Sequence, residues 1–169
     1  LGYRLHLAVD ARSEMPVAMT VAPANENEKK HSLKLFEKAS LHVKPGRLVA
    51  DPQYSSSSLR VAALKQGAMP VIPYPRNQKR GVKGILRIDR KFKSHGPQEL
   101  RRGYRKRVAV ERVFSRLKNL VSLTQHNLRG LAKITFHVQL CLMIILFTAQ
   151  AALNTHRPNK ARSIRYFAN

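Results

Sequence analysis

The segment that decides the fold reads Tyr104-Arg-Lys-Arg-Val-Ala-Val-Glu111-Arg-Val-Phe-Ser-Arg-Leu-Lys118. At about 100° per residue on a helix, four of its polar residues fall within a ~60° arc. These four residues are Tyr104, Arg107, Glu111 and Lys118. The apolar residues of the segment fall together on an adjacent arc, which is typical of a face that packs on a core. We therefore predict one helix from about Gln98 or Tyr104 to Thr124, with a polar stripe beside its buried face.

Glu111 stands out because it is the only acidic residue after Glu99 in a chain that is rich in bases. One interpretation is a solvated helix face on which Glu111 pairs with Arg107 one turn away. Such a surface pair contributes only about 0.3 kcal/mol to the free energy of unfolding. A metal ion explains a single acid among many bases better, so we interpret Glu111 as a candidate metal ligand.

The charge of the chain indicates a polyanionic partner. Thirty-two Lys and Arg residues against nine Asp and Glu residues give a formal net charge of +23 in 169 residues. A field of this sign attracts nucleic acid. Charge alone does not distinguish an enzyme from a basic protein that only coats RNA, so both classes stay open at this point.

A single cysteine and one apolar stretch bear on the compartment. Cys141 is the only cysteine, which excludes an internal disulfide framework and a cysteine-rich zinc site and fits a reducing cytoplasm. Residues 138–153 are the most hydrophobic stretch, but they are short for a membrane span of roughly 20 residues and contain Gln139 and Gln150. We interpret this stretch as a buried helix, and we expect no membrane partner and a cytoplasmic, nucleoid-associated location.

The rest of the chain alternates between strand and helix patterns. Predicted strands cover residues 3–9, 17–21, 47–50 and 69–73, and predicted helices follow Asn25 or Asn27, follow the serines 55–58, and cover about residues 131–153. This order is typical of the α/β class. We predict one domain over residues 1–153 and a basic, frayed tail over residues 154–169.

Three segments resemble one known family of proteins. The spacing Tyr104-x2-Arg107-x3-Glu111-x6-Lys118 matches the Y-x2-R-x3-E-x6-K signature of DDE transposases of the insertion-sequence-4 class. The second segment, Gly2-Tyr-Arg-Leu-His-Leu-Ala-Val-Asp10 with Pro16 and then Pro23-Ala-Asn25, resembles the second and third strands of that family. The third segment, Val49-Ala-Asp51 with Tyr54-Ser55, resembles the segment that carries its second catalytic aspartate. The three motifs occur in the family's order over most of the chain.

The resemblance implies a ribonuclease-H-like domain that cuts and joins DNA by phosphoryl transfer. It implies Mg²⁺ or Mn²⁺ as cofactor, with Asp51 and Glu111 as catalytic, metal-binding residues. The implied DNA-binding residues are Tyr104, Arg105, Lys106, Arg107 and Lys118, and the basic residues 79–93 would follow the DNA backbone. The implied partners are the terminal repeats of an insertion sequence and the target DNA, with a homodimer in a synaptic complex.

Asp10 is the remaining acid that resembles a catalytic residue. In the family pattern the first catalytic aspartate lies on a strand before the segment that starts at Gly2, whereas Asp10 opens a hairpin turn, a position that aspartate favours. We interpret Asp10 as a turn residue and expect the chain to lack the N-terminal part of the domain, its first catalytic aspartate included, and to be inactive alone. Two alternatives remain: a non-catalytic basic protein that binds nucleic acid, and a ribonuclease-H-like nuclease outside transposition.

Overall fold

The computed structural model describes residues 2–75, 98–124 and 126–168. The chain divides into two compact units. Unit 1 consists of Leu1–Asn25 together with Ala109–Asn169, and unit 2 consists of Glu26–Val108. Among the described residues, the strands form two separate two-stranded sheets, one in each unit. This mixture of helices and small sheets is consistent with the predicted α/β class.

The first sheet is an antiparallel hairpin in unit 1. Strand β1 (Tyr3–Val9) pairs with strand β2 (Pro16–Pro23), and the register shifts between Ala8 and Val9 at the turn end. This confirms the predicted hairpin. The Ser13 N–H and hydroxyl both donate to the Asp10 carboxylate, at 2.8 and 2.5 Å. The bond from the Ser13 hydroxyl lowers the pKa of Asp10, and these contacts confirm that Asp10 holds the hairpin turn.

Unit 2 is built around a short parallel sheet. Helix α1 (Glu28–Ser40) is followed by strand β3 (Arg47–Val49), a 3₁₀ turn, helix α2 (Ser57–Lys65), strand β4 (Met69–Val71) and helix α3 (Gln98–Arg105). The side chain of Asn27 caps α1 and that of Ser56 caps α2, as the sequence predicts. Gly67, two residues after the end of α2, has a φ of 75° and lets the chain turn into β4. The core of unit 2 contains Phe36, Leu59, Ala63, Ala68 and Ile72.

The sequence predicts one continuous helix from residue 98 or 104 to residue 124. This prediction is wrong, because the structure has two helices in this segment. Helix α3 ends at Arg105, and helix α4 covers Val108–Leu120. The N–H groups of Lys106 and Arg107 donate to carbonyl groups three residues earlier, at 3.1 and 3.0 Å. Such bonds belong to a tighter turn than an α-helix, so the continuous helical register is lost between the two helices. The four polar residues of the segment therefore do not share the ~60° arc of one continuous helix.

Helix α5 (Leu131–Asn154) is the longest element of unit 1. It is long and apolar enough to span a membrane, with a mean hydropathy of 1.8. One face packs into a core with side chains of α4 and of the hairpin; its members include Val113, Leu117, Val138, Cys141 and Ile145. Burial raises the pKa of the Cys141 thiol. The prediction of a buried helix holds for this face, whereas Phe136 and Phe147 on the same helix are 61% and 62% exposed.

The described C-terminal residues, 155–168, belong to unit 1. A 3₁₀ turn covers Pro158–Lys160, and helix α6 covers Ile164–Phe167. The Ile164 side chain is buried in the unit 1 core. Arg162 donates to the carbonyl groups of Ser13 and Arg12 at 3.0 and 2.7 Å. Residues 154–168 therefore differ from the predicted frayed tail, because they hold an apolar anchor and backbone contacts.

Candidate functional site

Asp51 lies two residues after the end of β3, where the chain leaves the small sheet of unit 2. Its backbone is extended, with φ −68° and ψ 156°, and Pro52 begins a 3₁₀ turn immediately afterwards. The Asp51 side chain does not cap that turn, and 40% of it is exposed. The carboxylate is therefore available to groups that the neighbouring elements bring to it.

Two side chains from the end of α3 and the following turn contact this carboxylate. The Tyr104 hydroxyl donates to Asp51 Oδ1 at 3.2 Å. Arg107 Nη1 lies 3.1 Å from each of the two carboxylate oxygens, and the Arg107 guanidinium also lies 5.6 Å from the centre of the Tyr104 ring. Three of the residues predicted from the sequence therefore form one cluster in unit 2, which we call the Asp51 cluster.

Packing of α3 on the sheet holds the Asp51 cluster in place. The Tyr104 ring is only 9% exposed and forms a small core with Val71 of β4. Arg47, at the start of β3, forms an ion pair with Glu99, at the start of α3. Because the hydroxyl of Tyr104 extends from a buried ring, its position is set by the sheet and not by solvent.

The other four predicted site residues are exposed. Glu111 and Lys118 are exposed residues of α4 and belong to unit 1, whereas Arg105 and Lys106 are exposed in unit 2. Lys118 lines a cleft of unit 1 with a volume of about 910 Å³, which has Arg4 and Arg129 among its lining residues and an otherwise mainly apolar wall. The basic residues 79–93 lie outside the described residues.

The described residues do not form a complete metal centre. Asp51 supplies hard oxygen atoms, which suit Mg²⁺, but a two-metal site needs several such groups converging. Within residues 2–75, 98–124 and 126–168, no group of three or more His, Cys, Asp and Glu side chains could hold a metal ion. Arg107 moreover places a positive charge against Asp51. The described residues therefore supply only part of the ligand set of the two-metal centre that the resemblance implies, and no catalytic step follows from it.

A second carboxylate cluster, which the sequence patterns did not predict, lies in unit 1. The Glu14 side chain is 6% exposed, and three arginines contact it: Arg112 Nη1 at 2.8 Å, Arg162 Nη1 at 3.2 Å and Arg116 Nη2 at 3.4 Å. Arg116 also donates to the Glu14 carbonyl at 2.9 Å. We call this group the Glu14 cluster.

The backbone at Glu14 is held in an uncommon conformation. Its φ is 59°, in the left-handed region that residues other than glycine, asparagine and aspartate rarely adopt. Two signals in the sequence are relevant: Glu14 is an acid next to apolar residues in an acid-poor chain, and Arg112 and Arg116 stand four residues apart on one helix. Neither signal shows that the two arginines meet an acid that lies 98 and 102 residues earlier in the chain.

The likeness to known proteins agrees with the motifs. A family model described as the transposase DDE domain matches residues 1–147. The chain belongs to this transposase family. Neither the curated proteins nor the solved structures gave a match. Membership supports a role in transposition and a DNA partner, and the match includes Asp51, Glu111 and the whole of the segment between Tyr104 and Lys118.

Proposed function

We propose that this transposase domain binds DNA through cationic side chains and takes part in metal-dependent phosphoryl transfer during transposition of an insertion sequence. Family membership over residues 1–147 is the observation that carries the proposal. The net charge of +23 supports a DNA partner, since DNA binding is dominated by contacts between basic residues and phosphates. The ribonuclease-H-like fold and the insertion-sequence-4 class are parts of the same proposal.

The Asp51 cluster is the proposed contact point with the scissile region of the DNA. Arg107 is 31% exposed and shares a half-exposed carboxylate with Tyr104. Two oxygens of a phosphate group can accept from a guanidinium, as the two Asp51 oxygens now accept from Arg107 Nη1. DNA phosphate therefore competes with Asp51 for Arg107, and Asp51 becomes available to a cation once Arg107 has exchanged partners.

Asp51 and Glu111 are the proposed metal-binding acids, with Mg²⁺ or Mn²⁺ as the ion. Hard carboxylate oxygens match these cations, and a complete centre would need at least one further ligand. Lys118, Arg105 and Lys106 are proposed DNA-binding residues because each presents an exposed cation. The homodimer, the terminal repeats as binding sites and the cytoplasmic location belong to the same proposal.

The DNA-binding part is tested by the salt dependence of duplex binding. Fluorescence anisotropy with a labelled duplex should give affinities that fall steeply with salt concentration, because each phosphate contact releases counterions. Arg107→Gln should weaken binding and reduce the slope of log affinity against log salt by about 1. Lys65→Gln removes the same charge from an exposed position on α2 of the same unit and should have a smaller effect. Equal effects of the two variants would remove Arg107 from the interface.

A second candidate function, DNA binding without cleavage by this chain alone, is favoured by one observation. The described residues contain no group of three metal-binding side chains. Incubation of the chain with supercoiled plasmid and Mg²⁺ or Mn²⁺ should therefore leave the DNA uncut. Cleavage that is lost in Asp51→Asn or Glu111→Gln, and kept in the exposed control Glu37→Gln, would favour the complete enzyme instead. Cleavage lost in Asp10→Ala would overturn the assignment of Asp10 to the turn.

A further inference from the structure

The Glu14 cluster carries more positive charge than its single carboxylate balances. Three guanidinium groups lie within 3.4 Å of the Glu14 oxygens. Arg116 is the most deeply placed of the three, with 12% of its side chain exposed. Burial lowers the pKa of Arg116, and the charges of Arg162 and Arg112 lower it further, whereas Glu14 raises it. The cluster has an excess of two positive charges, which one additional anion would partly relieve.

Two of the three arginines are exposed to solvent. Arg112 is 64% exposed and Arg162 is 48% exposed, and both place Nη1 against the same Glu14 oxygen. Backbone carbonyl groups of Ser13 and Arg12 accept from Nε and Nη2 of Arg162, at 3.0 and 2.7 Å. Beneath them, the buried Arg116 Nε has no hydrogen-bond partner among the described residues. Two accessible guanidinium groups are thus fixed side by side above a buried third.

We propose that Arg112 and Arg162 form a phosphate-binding site in unit 1, with Arg116 adding charge from below and Glu14 holding the guanidinium groups in place. Guanidinium groups bind phosphate oxygens in a bidentate manner. Side chains that are fixed before binding lose less conformational entropy when the ligand arrives. Two sources of phosphate fit this chemistry. One is a DNA backbone, in which case the site rests on the proposed function, and the other is a free phosphate ion. The site needs neither the Asp51 cluster nor a metal ion.

The phosphate site is tested on the full chain by thermal unfolding in inorganic phosphate against chloride at equal ionic strength. Phosphate should raise Tm in a concentration-dependent way, since it binds only the folded state. Arg112→Lys keeps the charge but loses the fork of donors, and should weaken phosphate binding about tenfold. The matched control is Arg165→Lys, an exposed arginine on α6, which should behave like the wild type. Equal Tm shifts in the two variants, or no phosphate-specific shift in the wild type, would overturn the proposal.

Glu14→Gln tests whether Glu14 positions the arginines, because this role and the electric field alone predict opposite changes in phosphate affinity. Glu14→Gln removes a negative charge, so the electric field alone predicts tighter phosphate binding. The proposed site predicts weaker binding, because the arginines are no longer held by a carboxylate. Tighter binding by folded Glu14→Gln would contradict this role. Where Glu14→Gln does not fold, Arg162→Lys replaces it, and loss of the phosphate-dependent Tm shift is expected.

Duplex DNA distinguishes the two sources of phosphate. For a DNA backbone, Arg112→Lys should weaken binding of a labelled duplex more than Arg165→Lys does. For free phosphate, both variants should bind the duplex equally, while Arg112→Lys still shows a smaller phosphate-dependent Tm shift than Arg165→Lys. This comparison does not use Arg107→Gln or Lys65→Gln. A failure of the phosphate site can therefore be told apart from a failure of the proposed function.

Discussion

Asp51 in unit 2 and Glu14 in unit 1 are both carboxylates that contact arginine, and they differ in burial. The Asp51 side chain is 40% exposed and meets one guanidinium and one phenol. The Glu14 side chain is 6% exposed and meets three guanidinium groups. The same chemical pair is therefore open to solvent in one region and enclosed in the other.

The difference indicates which carboxylate can exchange its partner. An exposed ion pair contributes about 0–1 kcal/mol to the free energy of unfolding, so Arg107 loses little when it leaves Asp51 for another anion. Breaking a buried pair leaves an uncompensated charge and costs several kcal/mol. Asp51 is suited to a site where ligands replace protein contacts, and Glu14 is suited to holding α4, the hairpin turn and the C-terminal segment together.

The largest expected effect is on Glu14. Glu14→Ala leaves three arginines without their carboxylate and should lower the free energy of unfolding by about 3–5 kcal/mol. Chemical unfolding followed by far-UV circular dichroism measures this change. Glu37→Ala, at an exposed position of α1, is the control and should change it by less than about 0.5 kcal/mol. A loss below about 1 kcal/mol for Glu14→Ala would show that the Glu14 cluster is not a buried network.

The Tyr104 hydroxyl should have an intermediate effect. Tyr104→Phe keeps the buried ring and removes the hydrogen bond to Asp51, so the free energy of unfolding should fall by about 1 kcal/mol. Chemical unfolding of Tyr166→Phe, whose tyrosine is 38% exposed, provides the comparison and should match the wild type. A loss above about 3 kcal/mol for Tyr104→Phe would mean that the Asp51 cluster is as enclosed as the Glu14 cluster.

Asp51 itself should matter little for stability. Asp51→Asn should change the free energy of unfolding by less than about 1 kcal/mol at low salt, and the difference should shrink as salt screens the exposed pair. Denaturant titrations at low and high NaCl concentration measure both quantities. A salt-independent loss similar to that of Glu14→Ala would remove the contrast between the two carboxylates.

The smallest effect is expected at Asp10, where the folded pKa is lowered chiefly by the Ser13 hydroxyl. A lowered carboxyl pKa gives stability that is present above the unfolded pKa and is lost as pH falls through the folded pKa. The loss should therefore begin near pH 3.8, the ordinary value, and continue below it. Because Asp10 is largely solvated, the contribution should stay below about 0.5 kcal/mol. Stability curves of Asp10→Asn and the wild type should converge at the acidic end; a constant difference would contradict this.

Local patterns were sufficient to predict most elements. Alternating apolar residues predict the hairpin, and Asn27 and Ser56 cap helices where the sequence offers short polar side chains. Helical periodicity did not reveal the turn at Lys106 and Arg107, because the residues around it continue an amphipathic pattern. The helical period of α5 also does not show which of its apolar side chains are buried and which are exposed.

The candidate site was partly predictable for a similar reason. Signature spacing identified Tyr104 and Arg107, and the strand end identified Asp51, but no pattern showed that the three side chains contact one another. The Glu14 cluster depends on contacts across 98 to about 150 residues, and a single sequence holds no record of such contacts. Glu111 and Lys118 remain predictions as site residues.

The central claim, that DNA phosphate and Asp51 compete for Arg107, is tested by duplex affinity in a double-mutant cycle. Asp51→Asn should strengthen DNA binding several-fold in the wild-type background, because Arg107 is released and one negative charge is lost. In the Arg107→Gln background, the same change should give a clearly smaller gain. An equal gain in both backgrounds, or no gain in either, would contradict the competition.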